Sequence, residues 1–183
     1  RVVGLDDNNE LSFGLSVTTN PEFLSSRLED KSTGDLVEYS PQAEMIAGEI
    51  GRRICRGDGV AMIVDYGSWR SLGDTLQALR HHKPVGPLES PGDADVTAHV
   101  NFEAIAAAAA PARHSELTPQ GVFLERLGIA ARAQALARGL TEKSLESHIA
   151  AHRRLTHPDE MGNLFKVMAL YAPDTPVPPG LGA

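Results

Sequence analysis

The chain has 183 residues, long enough to bury a core of its own, and 42% hydrophobic with 22% charged residues excludes wholesale disorder. Seventeen basic side chains against twenty-four acidic ones leave a net charge of −7. That balance argues against non-specific binding to nucleic-acid phosphates and against docking on an anionic membrane surface. The single cysteine, Cys55, excludes an internal disulfide and fits a reducing compartment. The alanine run over residues 106–110 is far too short to span a membrane. Arg1-Val2-Val3-Gly4-Leu5 carries no signal-peptide pattern, and the missing Met says only that the start was processed, trimmed or not resolved.

In chain order, Val2-Val3, the turn formers Asp6-Asp7-Asn8-Asn9, and the alternating Leu11, Phe13, Leu15 and Val17 predict a hairpin with a half-buried second strand. Residues 18–34 read as a loop with one helical turn near 22–28. A short extended segment follows at Leu36-Val37-Glu38-Tyr39. Ser40 then Pro41 is a cap followed by a first-turn proline, and Ala43, Met45, Ile46, Ile50 and Ile54 recur at helical spacing until Gly57-Asp58-Gly59 stops the helix. Val60-Ala61-Met62-Ile63-Val64 is apolar without alternation. It predicts a strand covered on both faces, as in a parallel sheet, ending at Asp65-Tyr66-Gly67. Residues 72–82 read as a short helix and 84–91 as a loop.

From Asp93 to Phe102 odd positions are polar and even positions apolar. An extended chain there puts Asp93, Asp95, Thr97 and His99 on one face, with Ala94, Val96, Ala98 and Val100 packed on the other. Asn101 is a cap for a helix over 102–110, ended by Pro111. Residues 114–118 form a strand, and Thr118-Pro119 opens a helix that breaks at Gly128. Two more helices cover 130–138 and, capped by Thr141, 142–154. Residues 164–171 make a last strand. Pro173, Pro176, Pro178 and Pro179 predict a stiff, poorly ordered tail. The organisation expected is thus a hairpin and loop over 1–39, a main α/β part over 40–172 and a proline-rich tail over 173–183.

Few motifs carry chemistry. His148 and His152 share a helix face, but no Glu follows His148 and cations surround the pair, so a solvated face is favoured over a metal site. Cys55 lies among arginines without a nucleophile motif. Gly57 and Gly59 precede a strand rather than follow one, so the dinucleotide-loop context fails. Two features remain. Asp65 and Tyr66 sit at the expected carboxyl end of the buried strand, where open α/β sheets place ligand crevices. The alternative is an Asp satisfying amides in a turn. The Asp93, Asp95, Thr97 and His99 face would suit a cationic substrate. Its alternative is the wet side of an edge strand.

The run from Val60 to Gly67 is followed by Thr75-Leu76-Gln77-Ala78, His82 and Pro91-Gly92-Asp93-Ala94-Asp95-Val96-Thr97-Ala98-His99-Val100-Asn101-Phe102. Thr118-Pro119-Gln120-Gly121-Val122-Phe123, Leu127-Gly128-Ile129, Arg132-Ala133 and Met161-Gly162-Asn163-Leu164-Phe165-Lys166-Val167 come after. This series resembles the MidA-like family of S-adenosylmethionine-dependent methyltransferases, which includes the mitochondrial complex I assembly enzyme acting on an arginine. The resemblance covers only the carboxyl-terminal half of that family. The half with the Gly-rich cofactor loop has no counterpart here, so the chain reads as a piece of a longer protein and cofactor-binding residues are unknown. The resemblance implies an α/β fold: the carboxyl-terminal part of a Rossmann-like class I methyltransferase sheet with helical additions and an N-terminal β-hairpin insertion. Residues 60–65 would be its fifth strand, 114–118 its sixth and 164–171 its seventh, the last antiparallel, with the face around Val96 against the helical layer.

The activity it implies is methylation of a protein arginine in a respiratory complex I subunit, with S-adenosylmethionine as cofactor. The candidate catalytic set is Asp65, Tyr66, Asp93, Asp95, Thr97 and His99; no metal, nucleic acid or membrane insertion is expected. A bacterial cytoplasm or a mitochondrial matrix would suit. A non-catalytic assembly module and a small-molecule methyltransferase remain open alternatives.

Overall fold

A computed structural model describes residues 1–17, 24–29 and 31–182. Chain order runs β1 (Val2–Leu5), β2 (Leu11–Gly14), α1 (Ser25–Leu28), α2 (Pro41–Gly57) and β3 (Val60–Ser68). Then come β4 (Gln77–Arg80), β5 (Lys83–Val85), β6 (Asp95–Thr97), β7 (Val100–Asn101) and α3 (Phe102–Ala108). The last part holds β8 (Arg113–His114), β9 (Thr118–Pro119), α4 (Gln120–Arg126), α5 (Ile129–Ala137), α6 (Glu142–Thr156), a π-type turn (Pro158–Gly162) and β10 (Phe165–Tyr171). Two compact units divide it: Arg1–Tyr39 with Leu72–His99, and Ser40–Ser71 with Val100–Ala183.

In the second unit β10 is the centre. Val167, Met168, Ala169, Leu170 and Tyr171 are all fully buried. One edge pairs antiparallel with β3 in continuous register from Phe165 opposite Tyr66 to Tyr171 opposite Val60. The other edge takes β8 and β9, also antiparallel. The last strand is therefore antiparallel, as the resemblance implied. The strand expected over 114–118 is split into β8 and β9. Between them Ser115, fully buried, replaces the ladder: its Oγ accepts the Ala169 N–H at 3.0 Å while its own N–H donates to the Ala169 carbonyl at 2.9 Å.

Helix α2 begins as its sequence dictates, with the Ser40 hydroxyl accepting the Ala43 N–H and Pro41 in the first turn. It ends at Asp58, which takes the left-handed conformation at φ 49. Ile54 of α2 joins Phe102, Ala106 and Ala109 from α3 and its end in a cluster against Met168 and Leu170. Cys55 and Ile63 pack on the same cluster. The proline-rich tail is not loose. Glu116 N–H donates to the Gly182 carbonyl at 3.0 Å, and the Arg126 guanidinium reaches the Gly180 carbonyl. The Gly180 and Gly182 carbonyls thus find donors on α4 and the β8–β9 segment, while the Thr175 and Leu181 N–H groups bond the Ala172 and Pro178 carbonyls.

Strand β3 departs from its expected setting in two ways. It is not covered on both faces: Val60, Met62 and Val64 are 49%, 49% and 45% exposed, while Ala61 and Ile63 pack inward. It has an antiparallel neighbour along one edge and a parallel partner, β7, only at Gly67 and Ser68 on the other. An all-apolar run does not by itself distinguish a strand covered on both faces from one covered on a single face. Nor does β3 stop at Asp65. It continues to Ser68 because Gly67, at φ 154, lets the backbone of Val100 approach where a Cβ would lie 2.2 Å from the Val100 oxygen.

In the first unit β1 and β2 pair antiparallel. Asp6 shapes their turn, its Oδ1 accepting the N–H groups of Asn8 and Glu10, both at 2.9 Å. These backbone bonds, that from Glu10 first, hold the Asp6 carboxyl below its usual range. The expected half-buried second strand is mostly exposed and ends at Gly14, with Leu15 and Val17 left at 88% and 83% exposure. A two-stranded ribbon offers little surface to bury against. The loop expected over 18–34, with Glu22 at the start of its helical turn, lies partly outside the described residues; α1 is what is described there. Leu36-Val37-Glu38-Tyr39 joins no sheet.

The helix expected over 72–82 is a strand instead. β4 pairs with β5 and β6, and His81 and His82, at φ 50 and 61, make the two-residue turn of the β4–β5 hairpin. Two consecutive left-handed residues match the twist of a hairpin. Nothing in His-His advertises this, since Asn-Gly or Asp-Gly is the usual signal. Residues 84–85 of the expected loop belong to β5, which begins at Lys83.

Two outcomes follow. Gly51 of α2 lies so close to α3 that a Cβ would meet the Ala109 oxygen at 2.0 Å, whereas a Cβ at Gly57 meets nothing within 4 Å. Gly51→Ala is expected to lower stability by about 2 kcal/mol or more through backbone displacement, while Gly57→Ala raises it by up to ~1 kcal/mol; paired thermal melts decide. Produced by itself, the 183-residue chain is expected to self-associate and bind a hydrophobic dye through the Val60, Met62 and Val64 strip. Met62→Thr with Val64→Thr should reduce both. A sharp monomeric gel-filtration peak with a cooperative melt for the unmodified chain would contradict this.

Candidate functional site

The six candidate residues fall into two groups. Asp65 and Tyr66 belong to the second unit; Asp93, Asp95, Thr97 and His99 belong to the first.

Adjacent residues of a strand point to opposite faces. Asp65 shares the face of Ala61 and Ile63, toward α2 and α3, and Tyr66 shares that of Met62 and Val64. Asp65 and Tyr66 therefore do not line one wall. Both are half-buried. Asp65 Oδ1 accepts the N–H of Tyr66 at 2.8 Å, which is the bracing role that the sequence left as an alternative. Opposite Asp65 in the register is Lys166, whose Nζ donates to the Asn163 carbonyl instead. No ion pair joins Asp65 to Lys166. Tyr66 meets Phe165 edge to face, with ring centroids 5.6 Å apart.

Just beyond β3, the Arg70 guanidinium grips Glu103 of α3 with two bonds of 2.7 and 2.9 Å. The Glu103 N–H donates to the Trp69 carbonyl. This bidentate clamp fixes the carboxyl end of β3 to the first turn of α3. Sequence reasoning missed it, because neither residue sits in a motif.

The polar face expected from Asp93 to His99 is broken. Only Asp95 and Thr97 lie in β6, opposite Leu79 and Gln77 of β4. Asp93 sits in the preceding turn, its N–H donating to the Ser90 carbonyl and its carboxylate 3.7 Å from the Arg80 guanidinium. Val96 is 55% exposed rather than packed against a helical layer. The alternation was real but did not mark a buried side: β6 is the edge of a small three-stranded sheet, and after Thr97 the chain leaves it to enter β7.

His99 is held by its backbone. Its N–H donates to Thr75 Oγ1 at 2.9 Å. Thr75 Oγ1 in turn donates to Glu38 Oε2, and Thr75 N–H donates to Glu38 Oε1 at 3.0 Å. The Gly73 N–H bonds the Leu36 carbonyl at 2.9 Å. Glu38 thus ties the unstranded segment around Leu36 to the one entering β4. Glu38 carried no sequence signal, since its partner is 37 residues away.

Of the histidine pair, His148 Nε2 lies 3.0 Å from the Ala133 carbonyl and His152 Nε2 lies 3.8 Å from Glu125. Among the described residues no cluster of three or more His, Cys, Asp or Glu side chains could hold a metal. No helix among them is long and apolar enough to cross a membrane.

Residues 1–121 match the family described as "Putative S-adenosyl-L-methionine-dependent methyltransferase". The chain belongs to this family. Relatives include the Drosophila melanogaster protein arginine methyltransferase NDUFAF7 homolog, mitochondrial, 34% identical over 93% of this chain and 40% of that protein. The human protein arginine methyltransferase NDUFAF7, mitochondrial, is 31% identical over 89% of this chain and 37% of its own length. Among solved structures, a candidate methyl transferase from Burkholderia thailandensis bound to S-adenosyl-homocysteine superposes with a TM-score of 0.79 at 27% identity, over 92% of this chain and 46% of that one. This family member therefore spans less than half the length of each of these proteins. Its fold is α/β, the carboxyl-terminal part of a Rossmann-like methyltransferase sheet.

Thr75 provides a check on the first unit. Thr75→Val removes one hydroxyl that serves both Glu38 and the His99 N–H, and is expected to cost ~1–3 kcal/mol. Thr75→Ser, which keeps the oxygen, should cost much less. Hydrogen exchange at the His99 amide should accelerate in the Val variant alone.

Proposed function

We propose that the full-length protein is an S-adenosylmethionine-dependent methyltransferase whose acceptor is an arginine of a protein, with a respiratory complex I subunit as the substrate class. The methyltransferase reading and its arginine acceptor are supported by the family match together with arginine methyltransferase relatives and a structural neighbour solved with S-adenosyl-homocysteine; the complex I substrate class comes from the family resemblance alone. The relatives' names place them in mitochondria, and a mitochondrial or bacterial setting fits the same chemistry.

Nothing in the geometry of the described residues singles out a cofactor contact. Where a glycine lacks room for a Cβ, as at Gly51 and Gly67, the space is filled by the chain's own backbone. No cofactor contact is therefore assigned to this chain, and its contribution is sought on the acceptor side. The cofactor supplies an electrophilic methyl group. The remaining task is to orient a guanidinium and take its proton, which is demanding because arginine is almost never deprotonated in water.

Asp65 is the residue we place in that role. It is a half-buried carboxylate toward the carboxyl end of β3, and the nearest cross-strand cation, Lys166, is engaged elsewhere. Tyr66, on the opposite face, would not share the site with it. Asp93, Asp95, Thr97 and His99 belong to the other unit and are kept as candidates for contact with a cationic substrate.

In the full-length enzyme Asp65→Asn is expected to slow single-turnover methyl transfer about ten- to a hundredfold, the kinetic equivalent of one charge-assisted hydrogen bond of ~1.5–3 kcal/mol. S-adenosyl-homocysteine affinity by calorimetry should be unchanged. Unchanged turnover per folded molecule, with a lowered melt, would reduce Asp65 to its bond with the Tyr66 N–H. Failure of the full-length protein to bind S-adenosylmethionine would remove the methyltransferase reading altogether.

A further inference from the structure

The net charge of this chain is not spread evenly. The unit of Arg1–Tyr39 with Leu72–His99 holds twelve acidic and five basic side chains, a net charge of −7. The other unit holds twelve of each and is neutral. The whole excess of negative charge therefore belongs to the smaller unit, whose local potential favours cations.

That unit also holds an open groove of about 650 Å³, within the size range of ligand sites. Strand β2 and the turn after β5 form its sides. Leu11, Phe13, Leu88 and Pro91 supply apolar wall, and Glu10 and Glu89 supply carboxylates. Glu89 is partly committed, since its Oε2 accepts the Gly86 N–H at 3.0 Å. The ring of Phe13 already carries a cation: the Arg1 guanidinium lies 5.0 Å from its centroid and is held by Asp74 at 2.8 Å. An aromatic face with a carboxylate behind it thus accommodates a basic side chain in this unit. A simple polycation would need the charge but not the leucine and proline walls.

We propose that this groove docks a basic segment of the protein substrate, one that carries leucine or proline between its cationic residues, with Glu10 and Glu89 taking the cations. The proposal rests on the reading that the methyl acceptor is a protein. It adds that substrate choice is made partly in the acidic unit, by sequence flanking the methylated arginine. Charge attracts the segment and the apolar wall selects it.

The test uses the full-length protein and a fluorescein-labelled peptide of repeating Lys-Leu-Pro, which contains no arginine to occupy a methyl-acceptor site. Fluorescence anisotropy should show saturable binding that weakens with salt. Glu10→Gln with Glu89→Gln should weaken it roughly tenfold, the loss expected for one or more charge-assisted contacts. Glu10→Gln alone, which touches no bond within the groove, should weaken it about threefold and covers the case in which the double variant misfolds. Asp7→Asn with Glu29→Gln removes the same charge from the same unit outside the groove and should leave affinity within about twofold.

An equal loss in that control pair would overturn the groove and leave only a diffuse field. Equal binding of a Gln-Leu-Pro peptide, or displacement by spermine at the same concentration as by unlabelled peptide, would also overturn it. Calorimetry with S-adenosyl-homocysteine on the same preparation separates the two readings. If that ligand binds and the peptide ignores Glu10, the docking proposal alone fails. If the peptide depends on Glu10 while that ligand does not bind, the methyltransferase reading fails and the groove stands as a peptide site.

Discussion

The antiparallel pairing of β3 with β10 is the contact on which the larger unit depends. Seven residues of each strand face one another, and β10 is buried on both sides from Val167 onward. Everything else in that unit is attached to this pair. Helices α2 and α3 cover Met168 and Leu170 through Ile54, Phe102 and Ala106. β8, β9 and the Ser115 side chain complete the far edge of β10, and the tail closes over α4. A strand with polar groups satisfied on both edges and side chains packed on both faces has no cheap way to move. The carboxyl end of β3 inherits that rigidity, and the Arg70–Glu103 clamp extends it into α3.

The smaller unit is built differently. Its sheets are short, its apolar residues are mostly exposed and its order comes from specific polar bonds. Asp6 shapes one turn, Glu89 another, and Glu38 with Thr75 joins segments that are distant in sequence. A unit of this kind buries too little apolar surface to rely on it, and its excess of carboxylates leaves a field that its own five cations do not cancel.

This division gives the family relationship a physical shape. The chain aligns with less than half of each relative compared, and the β3 face that carries Val60, Met62 and Val64 is exposed. At Gly51 and Gly67 the space a Cβ would take is filled by the chain's own backbone, and carboxylates are present in both units.

Local signals were legible wherever the cause was local. Ser40-Pro41 fixed the start of α2, Gly57-Asp58-Gly59 its end, Gly128 the break before α5, and Asp6 to Asn9 the first turn. The motif series from Val60 to Val167 was enough to place the chain in its family. The succession of helices after residue 100 followed too, because helical periodicity acts within a few residues, although neither Asn101 nor Thr141 makes the side-chain cap bond its sequence position offered. What the sequence could not determine depended on distant partners. His81-His82 became a hairpin turn because β4 pairs with β5 and β6. The alternation from Asp93 to Phe102 was cut in two because β6 belongs to one sheet and β7 to another. Asp65 and Tyr66, adjacent in sequence, were sent to opposite faces by the pleat of β3. Glu38 acquired its role from Thr75. In each case the deciding contact spans a separation along the chain over which composition and period carry no information, and only the folded backbone brings the partners together.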